Sequence, residues 1–220
     1  MDRARFPVIP IVANPKLSKA GKMPSLSYST PAQACRTGSA LAAIPGSVCH
    51  GCYARKGNYV FPNVKAPREH NLAQIMACDA AGDYGPWVDA MVNEIGSRER
   101  SGYFRWHDSG DVQSLAHLEA IAEVARRLPA IRFWLPTKEK GDVLAYARKH
   151  GDFPRNLTVR LSAPMIDGVA STAWGITSTV YSKHGAPIGH ACPAYTQGGK
   201  CGECRACWSK DVANVAYPKH

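Results

Sequence analysis

From Tyr103 onward the chain alternates short apolar runs with longer stretches of helical period. Tyr103–Trp106, Ile131–Leu135, Leu157–Leu161 and Ile176–Tyr181 are short, rich in aromatic and β-branched residues, and run into polar or turning sequence. Runs of this kind predict strands. Between the first two, Leu115, Leu118, Ile121, Val124 and Leu128 recur as one helical stripe, with Ser114 placed to cap its start and Pro129 to end it. A shorter helix is predicted from about Asp142 to Lys149. Upstream, Leu72, Ile75 and Met76 have helical spacing after Pro67, a residue suited to a first turn. A second helix begins near Pro86, with Trp87, Met91 and Ile95 on its apolar face. Cys78 falls on the first of these helices and reads as a small buried residue. Residues 1–34 are rich in Pro, Ser, Lys and Gly and read as an extended lead-in.

Strand and helix in alternation at this spacing predict an α/β fold with parallel strands and right-handed crossovers. No glycine-rich phosphate fingerprint follows the first strand, which argues against a dinucleotide-binding fold. In parallel sheets and barrels, chemistry gathers at the C-terminal strand ends. Those ends carry His107-Asp108-Ser109-Gly110-Asp111, Thr137-Lys138-Glu139 and Ser162-Ala163-Pro164-Met165, a candidate functional rim.

Cysteine placement adds a chemistry that the periodicity does not reveal. Seven of the eight cysteines form two groups: Cys35, Cys49 and Cys52, then Cys192, Cys201, Cys204 and Cys207. Thiolates two residues apart in a turn converge on one soft metal, and the run CGECRAC holds two overlapping steps of that kind. Such runs point to iron–sulfur ligation, with zinc as the rival at the C-terminal group. Gly46, Gly51 and Gly57 would let the first loop wrap closely round a centre. A shared centre, with Cys49 and Cys52 joining two C-terminal sulfurs, is also compatible with the spacing. Disulfides are disfavoured, because the start MDRARFPVIPIVANPK lacks the apolar core of a secretory signal. No run reaches membrane-spanning length, so a reducing cytoplasm is the expected setting. The 220 residues suggest a domain over 1–190 and a cysteine-rich metal-binding segment over 191–220. The net charge of +10 invites a polyanion, although the cations are scattered without long runs.

The stretches MPSLSYSTPAQACRTG, IPGSVCHGCYARKGNYVFPNV, FRWHDSGDVQS, RFWLPTKE and LTVRLSAPMIDG resemble, in order, the gene product 88 family of actinobacteriophages and related bacterial sequences. More distantly the layout resembles a radical S-adenosylmethionine enzyme with a shortened barrel. That likeness implies a partial (βα) barrel and a 4Fe–4S cluster held by Cys35, Cys49 and Cys52, with one iron left for S-adenosylmethionine. Cys35 lies farther upstream than the family pattern puts its first cysteine. The likeness also implies that Ser109, Gly110 and Asp111 replace the loop that binds the cofactor's amino group. The four C-terminal cysteines resemble an auxiliary cluster, for one or two clusters in all.

Further candidates are the pair His107 and Asp108 for acid–base work, Lys138 and Glu139 as a carboxylate clamp with its neutraliser, and His50, His184 and His190 as extra ligands. Tyr53, Tyr59, Phe61, Trp134 and Trp208 read as packing residues in preference to a base-stacking platform. Two function classes remain. One is an iron–sulfur enzyme of radical type with an unassigned substrate. The other is a non-catalytic iron–sulfur or zinc protein that binds a host protein or nucleic acid in the host cytoplasm during phage growth.

Overall fold

The computed structural model describes residues 14–219. The first part of the expected lead-in, and the N-terminal stretch on which the secretion argument rests, lie outside the described residues. Within them, eight strands form one sheet: β1 Leu17–Lys19, β2 Leu26–Tyr28, β3 Tyr103–Trp106, β4 Arg132–Thr137, β5 Leu157–Ile166, β6 Thr177–Tyr181, β7 His190–Ala191 and β8 Asn214–Pro218. The spatial order is β1-β2-β3-β4-β5-β6-β8-β7, with β1 antiparallel to β2 and every other pairing parallel. The protein is thus a mixed α/β fold on a mostly parallel sheet, as the strand–helix alternation predicts. β8 pairs with β6, so the C-terminal segment contributes to the same sheet.

The helices are α1 Arg36–Ala42, α2 Pro62–Ala81, α3 Gly85–Arg98, α4 Leu115–Arg127 and α5 Lys140–His150. α2 begins five residues before the expected start, with Pro62 in its first turn and Pro67 still near its N-terminal end. It ends at Gly82, which takes the left-handed conformation of a helix stop. Ser114 caps α4 by accepting from the His117 N–H at 3.0 Å, as its position predicts. The lead-in supplies two strands, β1 and β2. Buried Asn71 of α2 pins them, accepting from the Lys16 N–H at 2.8 Å and donating to the Lys16 and Ser29 carbonyls.

Side chains alternate across the sheet and divide it into two unlike faces. Phe104, Trp106, Phe133, Leu135, Leu157 and Val159 turn to the helices and form the main core with Ile75, Trp87, Met91, Ile95, Leu118 and Ile121. Cys78 is fully buried in that core. The opposite face carries Arg105, Trp134, Thr158 and Arg160, and the C-terminal segment lies on it. Trp208 packs edge-on against Trp134 at 5.3 Å and donates its indole N–H to the Phe104 carbonyl at 2.8 Å. Among the described residues no helix is long and apolar enough to cross a membrane.

Arg160 holds this second layer down. It is fully buried, and all its donors go to main-chain carbonyls. Nε donates to Cys207, one terminal nitrogen to Thr177 and Val212, and the other to Ala206 and Ser209, at 2.7–3.1 Å. A guanidinium has five donors, so none is left over. Replacing it by Met strands those carbonyls in a buried site. Arg160→Met should cost at least about 3 kcal/mol of stability in chemical denaturation and should hasten proteolysis within residues 201–212. Wild-type resistance of that segment in the variant would contradict this anchoring role.

Candidate metal centres

The first cysteine loop is tied to four neighbouring strand ends. Tyr53 donates to the Asp108 carbonyl beyond β3 at 2.8 Å. The Val48 N–H donates to Pro164 O, and the Ile166 N–H to Gly46 O, so the loop bridges the end of β5. The Thr30 N–H donates to Ser109 O, joining the chain after β2 to the loop after β3. Cys35 is the residue preceding α1, and buried Glu139, just past β4, fixes that helix start. Glu139 accepts from the Thr37 N–H at 3.0 Å and the Thr37 hydroxyl at 2.8 Å. A carboxylate at a helix N-terminus satisfies free amides and suits the helix dipole. The expectation of Glu139 as a neutraliser for Lys138 is therefore corrected: its oxygens serve α1, with Arg36 nearby at 3.3 Å.

Asp111 continues this network. It is buried and accepts from the Val112 N–H at 2.8 Å, the Thr137 hydroxyl at 2.6 Å and the Lys138 N–H at 2.9 Å. Burial is the main cause that pushes its carboxyl up to about 6, against those hydrogen bonds. Ser109 donates to Thr30 O at 2.8 Å and accepts from Arg68 at 2.8 Å. Gly110 has a positive φ, and a Cβ there would overlap the Thr30 hydroxyl. This part of the rim is closely packed, and Asp111 lies within electrostatic reach of Cys35 and Cys49.

Cys35 and Cys49 come near one another although they are fourteen positions apart, and Cys52 is within electrostatic reach of both. A Cβ on Gly38 of α1 would stand 3.6 Å from the sulfurs of both Cys35 and Cys49. All three cysteines are free thiols. Burial pushes the Cys35 thiol up to about 12, with Asp111, Cys52 and Cys49 adding and Lys138 opposing. Cys49 is raised too, by burial first, with Lys138 lowering it. Crowded thiols hinder one another's ionisation, and a bound cation removes that conflict by displacing the protons. His50 turns its Nδ1 to the Ala42 carbonyl at 3.1 Å.

The second group lies against the open face of the sheet. Cys201 and Cys207 pack on Met23, Trp134 and Trp208. The Cys207 thiol contacts the Tyr217 hydroxyl at 3.1 Å and is pushed up to about 12, chiefly by burial. Cys192 is within electrostatic reach of both Cys201 and Cys207. His190 brings Nε2 to 3.4 Å from the Cys204 sulfur, whereas His184 lies in the turn after β6 beside Asp167. Arg105 stands between the two groups. Its guanidinium lies 4.5 Å over Trp134, and its Nε is buried without a partner among the described residues. Tyr53 and Asp108 on one side and Cys207 and Tyr217 on the other are all within its electrostatic reach. As placed, no three or more Cys, His, Asp or Glu side chains among the described residues are close enough together to grip a metal ion.

His107 and Asp108 do not form the expected acid–base pair. Asp108 is paired with Arg68 at 3.2 Å and bonded to Ser29 and Tyr59. His107 has φ +54° and two buried ring nitrogens without partners among the described residues. The His107 N–H donates to Tyr28 O at 2.7 Å, a tie that helps hold this uncommon backbone in place. The sequence shows the histidine but gives no sign of its strain.

Fold and site together define an α/β protein with two cysteine groups, one over the strand ends and one on a sheet face. The chain matches the family model described as gene product 88 over residues 10–210, and it belongs to that family. No curated protein and no solved structure matches it.

Two outcomes follow from this geometry. Ala at position 38 should strengthen α1 by about 1 kcal/mol on helix propensity alone. Its methyl, however, would enter the space between two sulfurs and meet Cys35 Cβ at 3.0 Å. Gly38→Ala should therefore not show that gain in thermal denaturation; the full gain would contradict the close approach of Cys35 and Cys49 to the helix. The second outcome concerns His107, whose ring burial pushes down to about 4 from 6.5. As pH falls from about 6.5 towards 4, the unfolded chain takes up a proton that the folded chain refuses. The His107 share of the stability should drop over that window by on the order of 3 kcal/mol, opposed by Asp111, whose raised carboxyl takes up its proton in the folded chain first; His107→Asn should change the slope of denaturation midpoint against pH in favour of stability at low pH. An unchanged slope would contradict it.

Proposed function

We propose that this chain is an iron–sulfur protein. In this reading Cys35, Cys49 and Cys52 hold a 4Fe–4S cluster by three thiolates. Cys192, Cys201, Cys204 and Cys207 close a second centre, iron–sulfur or zinc. The observation that carries the reading is the approach of the free Cys35 and Cys49 thiols to one another over the strand ends of a parallel sheet, from positions well separated in sequence, with Cys52 within electrostatic reach of both. The donor set suits iron–sulfur ligation, and the glycine at position 38 leaves room between two of the sulfurs.

We read the sheet as a partial barrel, supported by the sequential order of β2 to β6 and by helices on one face. Three protein ligands leave one iron open. A cluster held in this way would, once reduced by an external one-electron donor, pass one electron to a bound S-adenosylmethionine, the chemistry of radical enzymes. Asp111 is the residue we assign to the cofactor's ammonium, with Ser109 and Gly110 fixing the loop that carries it. The main-chain amides of Val112 and Lys138 and the Thr137 hydroxyl orient its carboxylate. Lys138 tempers the negative charge of the thiolates. The reading needs reduced thiols, hence a reducing compartment such as the host cytoplasm.

A non-catalytic reading is favoured by one observation at the second group. His190 beside Cys204 adds a nitrogen donor where four cysteines already suffice, a composition suited to structural zinc. A metal there would staple the C-terminal segment to the sheet.

Quantifying iron, acid-labile sulfide and zinc after anaerobic purification tests the proposal. Iron and sulfide should be bound, Cys49→Ala and Cys52→Ala should each lose the N-terminal share, and Cys78→Ala should keep it. Stoichiometric zinc without iron, or loss of iron in Cys78→Ala but not in Cys52→Ala, would overturn it.

A further inference from the structure

The excess positive charge of the chain has one source. Residues 3–68 contain ten Lys and Arg and no Asp or Glu, while the rest of the chain carries seventeen of each sign. Part of this acid-free stretch folds into the surface beside the first cysteine loop. Residues 53–68 make two 3-10 turns and the start of α2, and they present Arg55, Lys56 and Lys65 to solvent. Arg55 and Lys56 have no salt-bridge partner among the described residues, and Lys65 meets only exposed Glu69, at 3.2 Å. An exposed pair of that kind holds a lysine weakly.

Aromatic rings lie among these cations. Tyr53 is 46% exposed and Phe61 55% exposed, whereas Trp134 and Trp208 are buried. The sequence reading placed all four among packing residues; the structure removes Tyr53 and Phe61 from that set. Tyr53 is held edge-on to Tyr59 at 5.5 Å, and its hydroxyl is fixed on Asp108, so the ring is presented in one orientation. Beside them opens a cleft of about 180 Å³ lined by Gln33, Ala54, Tyr59, Val60, Lys65 and Arg68. That is smaller than the roughly 300–1,000 Å³ of drug-sized ligand sites, so it admits one planar ring and little more. Gln33 precedes Cys35 by two residues and Ala54 follows Cys52 by two, so the cleft adjoins both segments that bear the first cysteine group.

We propose that this surface binds single-stranded nucleic acid, with Tyr53 and Phe61 stacking on bases, Arg55, Lys56 and Lys65 meeting phosphates, and the cleft taking one base. Bases and phosphates are the two chemistries presented together here: an apolar ring face and an uncompensated cation. A strand of unpaired bases offers both at each nucleotide, while a duplex hides the ring faces. The surface does not depend on what the cysteines bind.

The test is fluorescence anisotropy with the full chain, purified anaerobically, and a labelled oligouridine or oligothymidine of about twelve nucleotides. Three phosphate contacts predict a log K against log salt slope of about −2, which is about a twentyfold loss between about 50 and 200 mM salt. Phe61→Ala should weaken binding by about five- to a hundredfold through lost stacking. Arg55→Ala with Lys56→Ala should reduce the slope by about 1.4. Both sets of positions are exposed, and circular dichroism and metal content should stay at wild-type values. No binding, equal or tighter binding to duplex, or binding that neither variant changes would overturn the proposal. Binding only of a free mononucleotide would assign the cleft to small molecules instead. Binding only to anionic phosphatidylglycerol vesicles would assign the surface to a membrane.

Discussion

A chain of buried hydrogen bonds determines where the first cysteine stands. Thr37 at the start of α1 donates to Glu139; the Glu139 N–H donates to the Thr137 hydroxyl; that hydroxyl donates to Asp111. Its four members come from three places in the sequence: the start of α1, the end of β4, which supplies both Thr137 and Glu139, and the loop after β3. Two buried carboxylates on this path accept main-chain amides that would otherwise be unpaired, so breaking one link exposes the others to the same cost. Cys35 sits two residues before Thr37 and takes its position from that tie. The opposite arrangement holds the second group. There a buried cation, Arg160, gathers carbonyls, and Cys207 is carried on the segment it binds.

The two anchors give the molecule a polarity of charge that bears on its chemistry. Carboxylates lie behind the strand ends, and guanidinium groups lie on the sheet face. Arg105 and Arg160 have no carboxylate in salt-bridge contact among the described residues, and the nearest acidic groups of the second group are thiols and a phenol. Under the proposed reading, metal-bound thiolates would supply the counter-charge that such a face lacks when its cysteines are protonated. Burial likewise raises the thiols of Cys35 and Cys207, and the nearby cations Lys138 and Arg160 with Arg105 offset it only in part.

Much of the framework was legible in the sequence, because long periodic elements announce themselves. β3 begins and ends where its aromatic run does, and α4 follows the stripe from Leu115 and its Ser114 cap. The rim over these strand ends was legible for the same reason. β2 was not, since Leu26–Tyr28 gives three residues and no alternation to count; its place comes from parallel pairing with β3, a long-range contact. α1 was hidden by a composition of Gly, Ser, Thr and Ala that also suits a loop, and its cap arrives from Glu139, about a hundred residues away. Arg160 lies inside the predicted strand Leu157–Leu161, and nothing in the sequence sets it apart. Its role appears only when the C-terminal carbonyls are in view. The spacing identified the two cysteine groups, and the fold added Gly38, Lys138 and Arg105 around them.

The central claim is that the first group is an iron–sulfur centre with one position open. Electron paramagnetic resonance of the chemically reduced, anaerobically purified protein tests it most directly, recorded with and without S-adenosylmethionine. The account predicts the signal of a reduced 4Fe–4S cluster and a change in its g values when S-adenosylmethionine is added. A protein that shows no cluster signal after anaerobic reduction would contradict the iron–sulfur assignment, and a cluster signal that ignores S-adenosylmethionine would contradict the open position for that cofactor.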